Sequence, residues 1–231
     1  MARARMLVVN ADDFGLSPGV NEGIIEAHAN GIVTSTSLMV LERASGDAAR
    51  SAAGHQALSI GLHFVDDGSA DLDDPDQAAR SFRAQLERFR ELTGRDPTHV
   101  DSHHHVHTWS RARLATFSRL VEPLGVPLRG QGRVAYVGAF WGQWEPGVTK
   151  LRHVRRPFLL HLIRAKVRDG FTELGCHPAR ITGDFSSSYL DERAVELATL
   201  TEPGLREAVT ALGVEIVSFH AYLAGPPTML L

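Results

Sequence analysis

The sequence contains a single cysteine, Cys176, which excludes an internal disulfide framework and suits a reducing compartment. It has no excess of charge of either sign. Lys+Arg number 24 against 27 Asp+Glu, a formal net charge of −3, so no basic surface argues for a nucleic-acid partner. No apolar run approaches the roughly 18 residues of a membrane span. The opening stretch, MARARMLVVNADD, has arginines but an apolar run of only four residues, 6–9, too short for the core of a secretory signal. No internal repeat or low-complexity linker interrupts the chain. A hydrophobic fraction of 43% and a charged fraction of 22% in 231 residues are ordinary for a globular protein. The expectation is one soluble domain over 1–231, located in the cytoplasm, with no membrane partner and with a homodimer as one assembly open to it.

What is there is a regular alternation of strand and helix signals. Residues 6–9 form a short apolar run of the kind a buried parallel strand shows. Ser17 and Pro18 offer an N-cap and a first-turn proline; Val20, Ile24 and Ala27 then recur at helical spacing, and Gly31 stands just past the end. Residues 34–40 and 59–64 read as the second and third strands, and Phe82, Leu86 and Phe89 mark a helix ending before Gly94. Residues 98–103 read as a fourth strand, followed by a helix with Leu114, Phe117, Val121 and Leu124 on one face. Residues 126–129 are the candidate fifth strand, and the Gly- and Trp-rich stretch 130–149 reads as a loop. A helix follows Pro157, then a strand over 171–176. A last helix carries Leu205, Ala208, Val209 and Leu212 to Gly213, and 214–219 reads as the closing strand.

This order of about seven βα units is that of an α/β protein, with a sheet either open or closed. The polar residues decide between them. Asp12 and Asp13 follow the first predicted strand, His63 lies near the end of the third, and Asp101 and His103 end the fourth. Arg129, His177 and His220 come at or after the ends of the fifth, sixth and last. Reactive side chains at so many strand ends converge only if the strands ring a common axis, whereas an open sheet gathers ligands from two or three strands. The fold predicted is therefore a deformed (β/α) TIM-like barrel with about seven strands.

Imidazole and carboxylate together are the usual donors of a catalytic divalent ion. Asp12 and Asp13 are the candidate oxygen donors; His63 and the cluster 103–107 in THVDSHHHVHTWS are the candidate nitrogens. His103 points inward whether the chain stays extended or turns helical after it, while alternation would turn His104 away. Asp101 shares the face of His103 and can orient an imidazole from behind. Taken singly, each residue also has a structural reading: an Asx-turn for the aspartates, a bonded strand-end histidine for His63 and for His220, and core for Cys176.

The stretches NADDFGLSPGVNEGIIEAHANGIVTSTSLMV, GLHF, DSHHHVH and ELGCHPA resemble the YdjC-like carbohydrate deacetylases, the chitooligosaccharide deacetylase group in particular, over about residues 6–180. The pair ADDFG and DSHHHVH is the specific part of that resemblance. It implies a deformed barrel and a metal-dependent hydrolase of non-peptide carbon–nitrogen bonds, which removes acetyl groups from N-acetylated amino sugars. It further implies one divalent ion, Mg²⁺ or Zn²⁺, on Asp13, His63 and His103, with Asp12 as general base. His177 in CHPA is the candidate for the group that protonates the leaving amine.

This sequence also departs from the family pattern. The segment after His63, VDDGSADLDDPDQ, is short and acidic, which leaves that side of the site open. His220, in SFHAY, stands where an arginine-containing ending is expected. Trp141 and Trp144, on the loop read at 130–149, are candidates to stack on a sugar ring or act as a lid. Two other readings stand beside the deacetylase: a metal-dependent phosphoesterase with Arg129 and Arg133 as its anion site, and a non-catalytic sugar- or metal-binding barrel.

Overall fold

The computed structural model describes residues 4–145 and 147–225. The chain runs β1 (Arg5–Phe14), α1 (Pro18–Ala29), β2 (Ser35–Leu38), α2 (Ser45–Ala53), β3 (Ser59–Phe64), α3 (Pro75–Thr93), β4 (Val100–Ser102) and α4 (Arg111–Val121). It continues through β5 (Val134–Val137), α5 (Arg156–Lys166), β6 (Gly170–Cys176), α6 (Leu190–Leu200), α7 (Leu205–Ala211), β7 (Val214–Ile216) and α8 (Phe219–Leu223). Among the described residues, no helix is long and apolar enough to cross a membrane.

All strand pairs are parallel, in the order β4-β3-β2-β1-β6-β5, and the sheet curls into a half-barrel with helices outside. β6 lies along one edge of β1 from Arg5 to Ala11. The other edge is shared: β7 pairs with Arg5–Leu7 of β1, and β2 takes over from Asn10 onward. β1 shows why a continuous apolar run serves this geometry. Leu7, Val9 and Ala11 belong to the main core, whereas Val8, on the other face of β1, joins Val134 and Phe219 in a separate cluster. The main core is dense in phenylalanine; Phe64, Phe82 and Phe117 meet with ring centroids 5.0 to 6.4 Å apart.

Two strands, the fifth and the last, depart most from the sequence reading. At 126–129 the chain makes a single bridge, Leu128 beside Val100, and the fifth strand proper is 134–137, inside the stretch read as loop. Pro127 has no N–H to give a ladder, which ends pairing there. The last strand stops at Ile216, and Phe219 opens α8, where it stacks on His99 at 4.2 Å under the lumen. Three helices, α2, α6 and α8, have no counterpart in the reading.

Candidate active site

The two aspartates lie within β1 rather than after it. Alternation would send neighbours in a strand to opposite faces. Here the register slips: Ala11 pairs with Thr36 and Phe14 with Leu38, so β1 has one residue more than its partner. That bulge places Asp13 at φ 70°, a left-handed conformation that an L-residue adopts at a cost of order 1–3 kcal/mol. The kink turns both carboxylates to the mouth of the barrel. Among the described residues, the other non-glycine positions with positive φ are His104 and His105, in the short 3₁₀ segment that follows β4. Backbone strain is concentrated in this site.

Asp13 Oδ1 lies 3.2 Å from His103 Nδ1 and 3.3 Å from His63 Nε2. The nearest donor atoms of these three side chains all lie within 4.8 Å of one another. Behind them, His63 Nδ1 bonds Asp101 Oδ1 at 2.6 Å and lies 3.2 Å from Ser37 Oγ. With the proton on Nδ1 donated to Asp101, the lone pair of Nε2 faces the cluster, and Nε2 is buried with no hydrogen-bond partner of its own. Once the Nε2 proton has left, this is the donor set and the tautomer that a divalent cation requires, so the residues fit the ion. Burial disfavours a charged His63, but Asp101 and Asp13 overcome it and hold its pKa up at about 10. Asp13 is likewise pushed up by burial and drawn well below the usual carboxylate range by Arg193, whose Nη2 is 2.5 Å from Asp13 Oδ2.

Asp12 stands in a second, adjoining layer. Arg129 donates to both its oxygens, at 2.6 and 2.7 Å, and Asn10 Nδ2 donates to Oδ1 at 2.8 Å. The same guanidinium contacts Asp101 Oδ2 at 2.5 Å and Glu173 Oε1 at 2.6 Å. Burial raises the pKa of Asp12, but Arg129 outweighs it and lowers the value below the ordinary range. Burial wins at Glu173, held up at about 7. His177, following β6, has Nε2 3.8 Å from Asp12 Oδ2 and a buried Nδ1 without a partner. Burial takes its pKa down to about 4 despite both aspartates.

The remaining predicted residues separate. His104 is not turned away by alternation, because the chain leaves extended geometry at 103; it is exposed, with its ring 3.8 Å from that of His103. His105 faces Tyr136, and His107 is buried between Ser102 Oγ at 2.6 Å and the Arg129 carbonyl at 3.1 Å. His220 lies away from the site, lining a hollow with Ile60, Leu92 and Arg95 at the opposite end of the strands. Arg129 is spent on three carboxylates, and Arg133 is exposed just ahead of β5, so neither offers an anion site at the mouth. Cys176 is core, its thiol pushed up by burial. Trp141 is pinned rather than free: Tyr189 stacks on it at 3.7 Å and its edge meets His177 at 4.9 Å. Trp144 is 54% exposed.

Sequence reasoning missed Arg193, Glu196 and Tyr189, all from α6 and the residue before it. Its signals were the acidic first turn, Asp191 and Glu192, and a run of good helix formers. The model of the family described as YdjC-like protein matches residues 6–211, past the 180 reached by inspection and through α7. The chain belongs to the YdjC-like family. Of the curated relatives, a carbohydrate deacetylase of Geobacillus stearothermophilus is 35% identical over 249 aligned positions, covering 94% of this chain and 98% of the relative. That alignment is longer than the 231-residue chain, so the relative carries residues that this member of the YdjC-like family lacks. A chitooligosaccharide deacetylase of Yersinia pestis is 33% identical over 93% of this chain and 98% of the relative. Among solved structures, a candidate cellobiose-phosphate cleavage protein of Enterococcus faecalis superposes with a TM-score of 0.77 over 95% of this chain and 99% of its own, at 24% identity. That likeness confirms the barrel fold.

Proposed function

We propose that this protein is a metal-dependent carbohydrate N-deacetylase, hydrolysing the acetamide of an N-acetylated amino sugar. The observation that carries the reading is the convergence of Asp13, His63 and His103 beside a further carboxylate, Asp12, in a chain whose relatives are named for deacetylation. Asp13, His63 and His103 are the residues that would hold the ion; their imidazoles suit Zn²⁺, with Mg²⁺ the alternative. What a divalent ion supplies in such a site is Lewis acidity, which makes water nucleophilic near neutral pH. Asp12 is the general base. Arg129 fixes its orientation, yet one positive charge spread over Asp12, Asp101 and Glu173 leaves the group net negative and able to draw a proton. His177 starts neutral. The proton taken by Asp12 has a 3.8 Å path to His177 Nε2, from which it passes to the leaving amine.

The acidic segment 66–76 is largely exposed, and Asp73 is tied outward to Arg113 at 2.8 Å, so the substrate side there stays open. The reading includes a single-domain cytoplasmic enzyme that accepts an amino sugar bearing a bulky group at least as well as free N,N′-diacetylchitobiose. Acetate release from both, with metal removed and added back, is the test. His103→Ala is expected to lose metal and activity together, while Asp12→Asn keeps the metal and loses about two or more orders of magnitude in kcat. Full metal occupancy in the His103→Ala protein would overturn the ligand set. Loss of metal in Asp12→Asn with retention in Asp13→Asn would exchange the roles of the pair.

A further inference from the structure

Glu196 on α6 is fully buried, and Arg193, one turn away on the same helix, is engaged with Asp13 instead. A buried carboxyl without an ion pair is costly, and leucine in its place would bury freely. What Glu196 does is bond two groups. Its Oε2 accepts the backbone N–H of His177 at 2.5 Å, and its Oε1 accepts the hydroxyl of Tyr189 at 2.7 Å. Tyr189 in turn lies parallel to Trp141, accepts the N–H of Gly142 at 2.8 Å, and so clamps the indole whose edge meets the His177 ring. The next N–H along the chain, that of Ala179, is also taken by α6, through the Arg193 carbonyl at 3.3 Å; Pro178 between them has none to give. The segment carrying His177 therefore takes its position from α6.

We infer that Glu196 is a positioning residue for the reaction: it sets the backbone of His177 directly and, through Tyr189, holds Trp141 against the His177 ring. The inference rests on the reading of His177 as the group that returns the proton. Misplacing such a group by a fraction of an ångström costs turnover rather than binding.

The test is a double-mutant cycle on the full-length, metal-loaded protein with N,N′-diacetylchitobiose as substrate. Glu196→Ala is expected to lower kcat about tenfold or more, with KM within about twofold and metal content unchanged. In a His177→Ala background the same change is expected to add nothing, because its effect runs through His177. Glu196→Gln should restore most of the turnover, since the amide can accept from the His177 N–H and pair with the Tyr189 hydroxyl. A fall of equal size in both backgrounds, or full turnover in folded Glu196→Ala, overturns the proposal. If Glu196→Ala does not fold, Tyr189→Phe replaces it: a lower kcat with an altered near-ultraviolet dichroism of Trp141 supports the clamp, and no change in either overturns it. If His177→Ala alone leaves kcat untouched, the proton-return reading has failed. The dichroism then decides the positioning by itself, which stands if the Trp141 signal is lost in Glu196→Ala and kept in Glu196→Gln, and falls otherwise.

Discussion

At the scale of single residues, His63 shows how the protein prepares a cation site. Its Nδ1 is committed to Asp101 and Ser37, and its Nε2 is left buried opposite Asp13. In the metal-free protein a proton fills that role, and the folded pKa of about 10 stands above the ordinary 6.5. A histidine raised in this way contributes stability that is fully present below pH 6.5 and lost as the pH rises through about 10. Metal binding displaces that proton, so affinity is expected to rise with pH, with about one proton released per ion at pH 8. Calorimetric titration with Zn²⁺ in two buffers of different ionisation enthalpy measures the count, and a heat independent of buffer would refute the exchange. His63 and His103 were legible in the sequence as nitrogen donors because their types and strand-end positions are local facts. The facing of Asp13 was not legible, because it depends on a bulge defined only by pairing with β2.

At the scale of elements, α1 and α6 grip the 177–180 segment from two sides. Gly19 and Gly23, one turn apart on α1, let that segment approach closely. A Cβ on Gly23 would lie 2.5 Å from Ala179 Cα, and one on Gly19 would lie 2.4 Å from the Arg180 carbonyl. Gly23→Ala is therefore expected to destabilise by about 1–3 kcal/mol through overpacking, despite the better helix propensity of alanine, and to lower kcat by shifting His177. Urea denaturation paired with turnover checks this; a more stable, fully active variant would contradict it. The start of α1 was legible from Ser17, whose hydroxyl accepts the Val20 N–H at 3.2 Å, and from Pro18. α6 was not, for a physical reason. Its buried residues are Glu192, Arg193, Glu196, Thr199 and Leu200, so a search for apolar periodicity passes over a helix whose inward face is mostly polar. α2 escaped similarly, its buried positions being Ser45, Ala48 and Ala52.

At the scale of the whole molecule, Arg129 ties β4 to the β1–β6 pair, with which β4 shares no ladder. It leaves the chain beside β4 and reaches Asp12 on β1, Asp101 on β4 and Glu173 on β6. Burial opposes its charge, but the three carboxylates raise its pKa well above the ordinary value. Arg129→Met would leave Asp12 and Glu173 buried without a cation in contact, with Asp101 keeping only His63. A loss of about 3–5 kcal/mol is expected, a large share of the roughly 5–15 kcal/mol that stabilises a folded domain. Arg129→Lys should lose less, since it keeps the charge but not the paired donors. Thermal unfolding of both variants is the measurement, and a methionine variant as stable as the parent would remove Arg129 from this role.

The alternation of strand and helix, a deformed parallel barrel of about seven strands, and the polar residue types at its strand ends are all legible along the chain alone. These follow from local periodicity, capping and the positions of polar residues along the chain. The folded chain adds that the fifth strand lies at 134–137, that Trp141 is clamped, that His220 sits at the far end, and that Arg129 and α6 serve the aspartates and His177. Each of these depends on contacts between residues far apart in the chain. Charge paired with charge across a barrel leaves no periodic trace in either partner's own stretch of sequence.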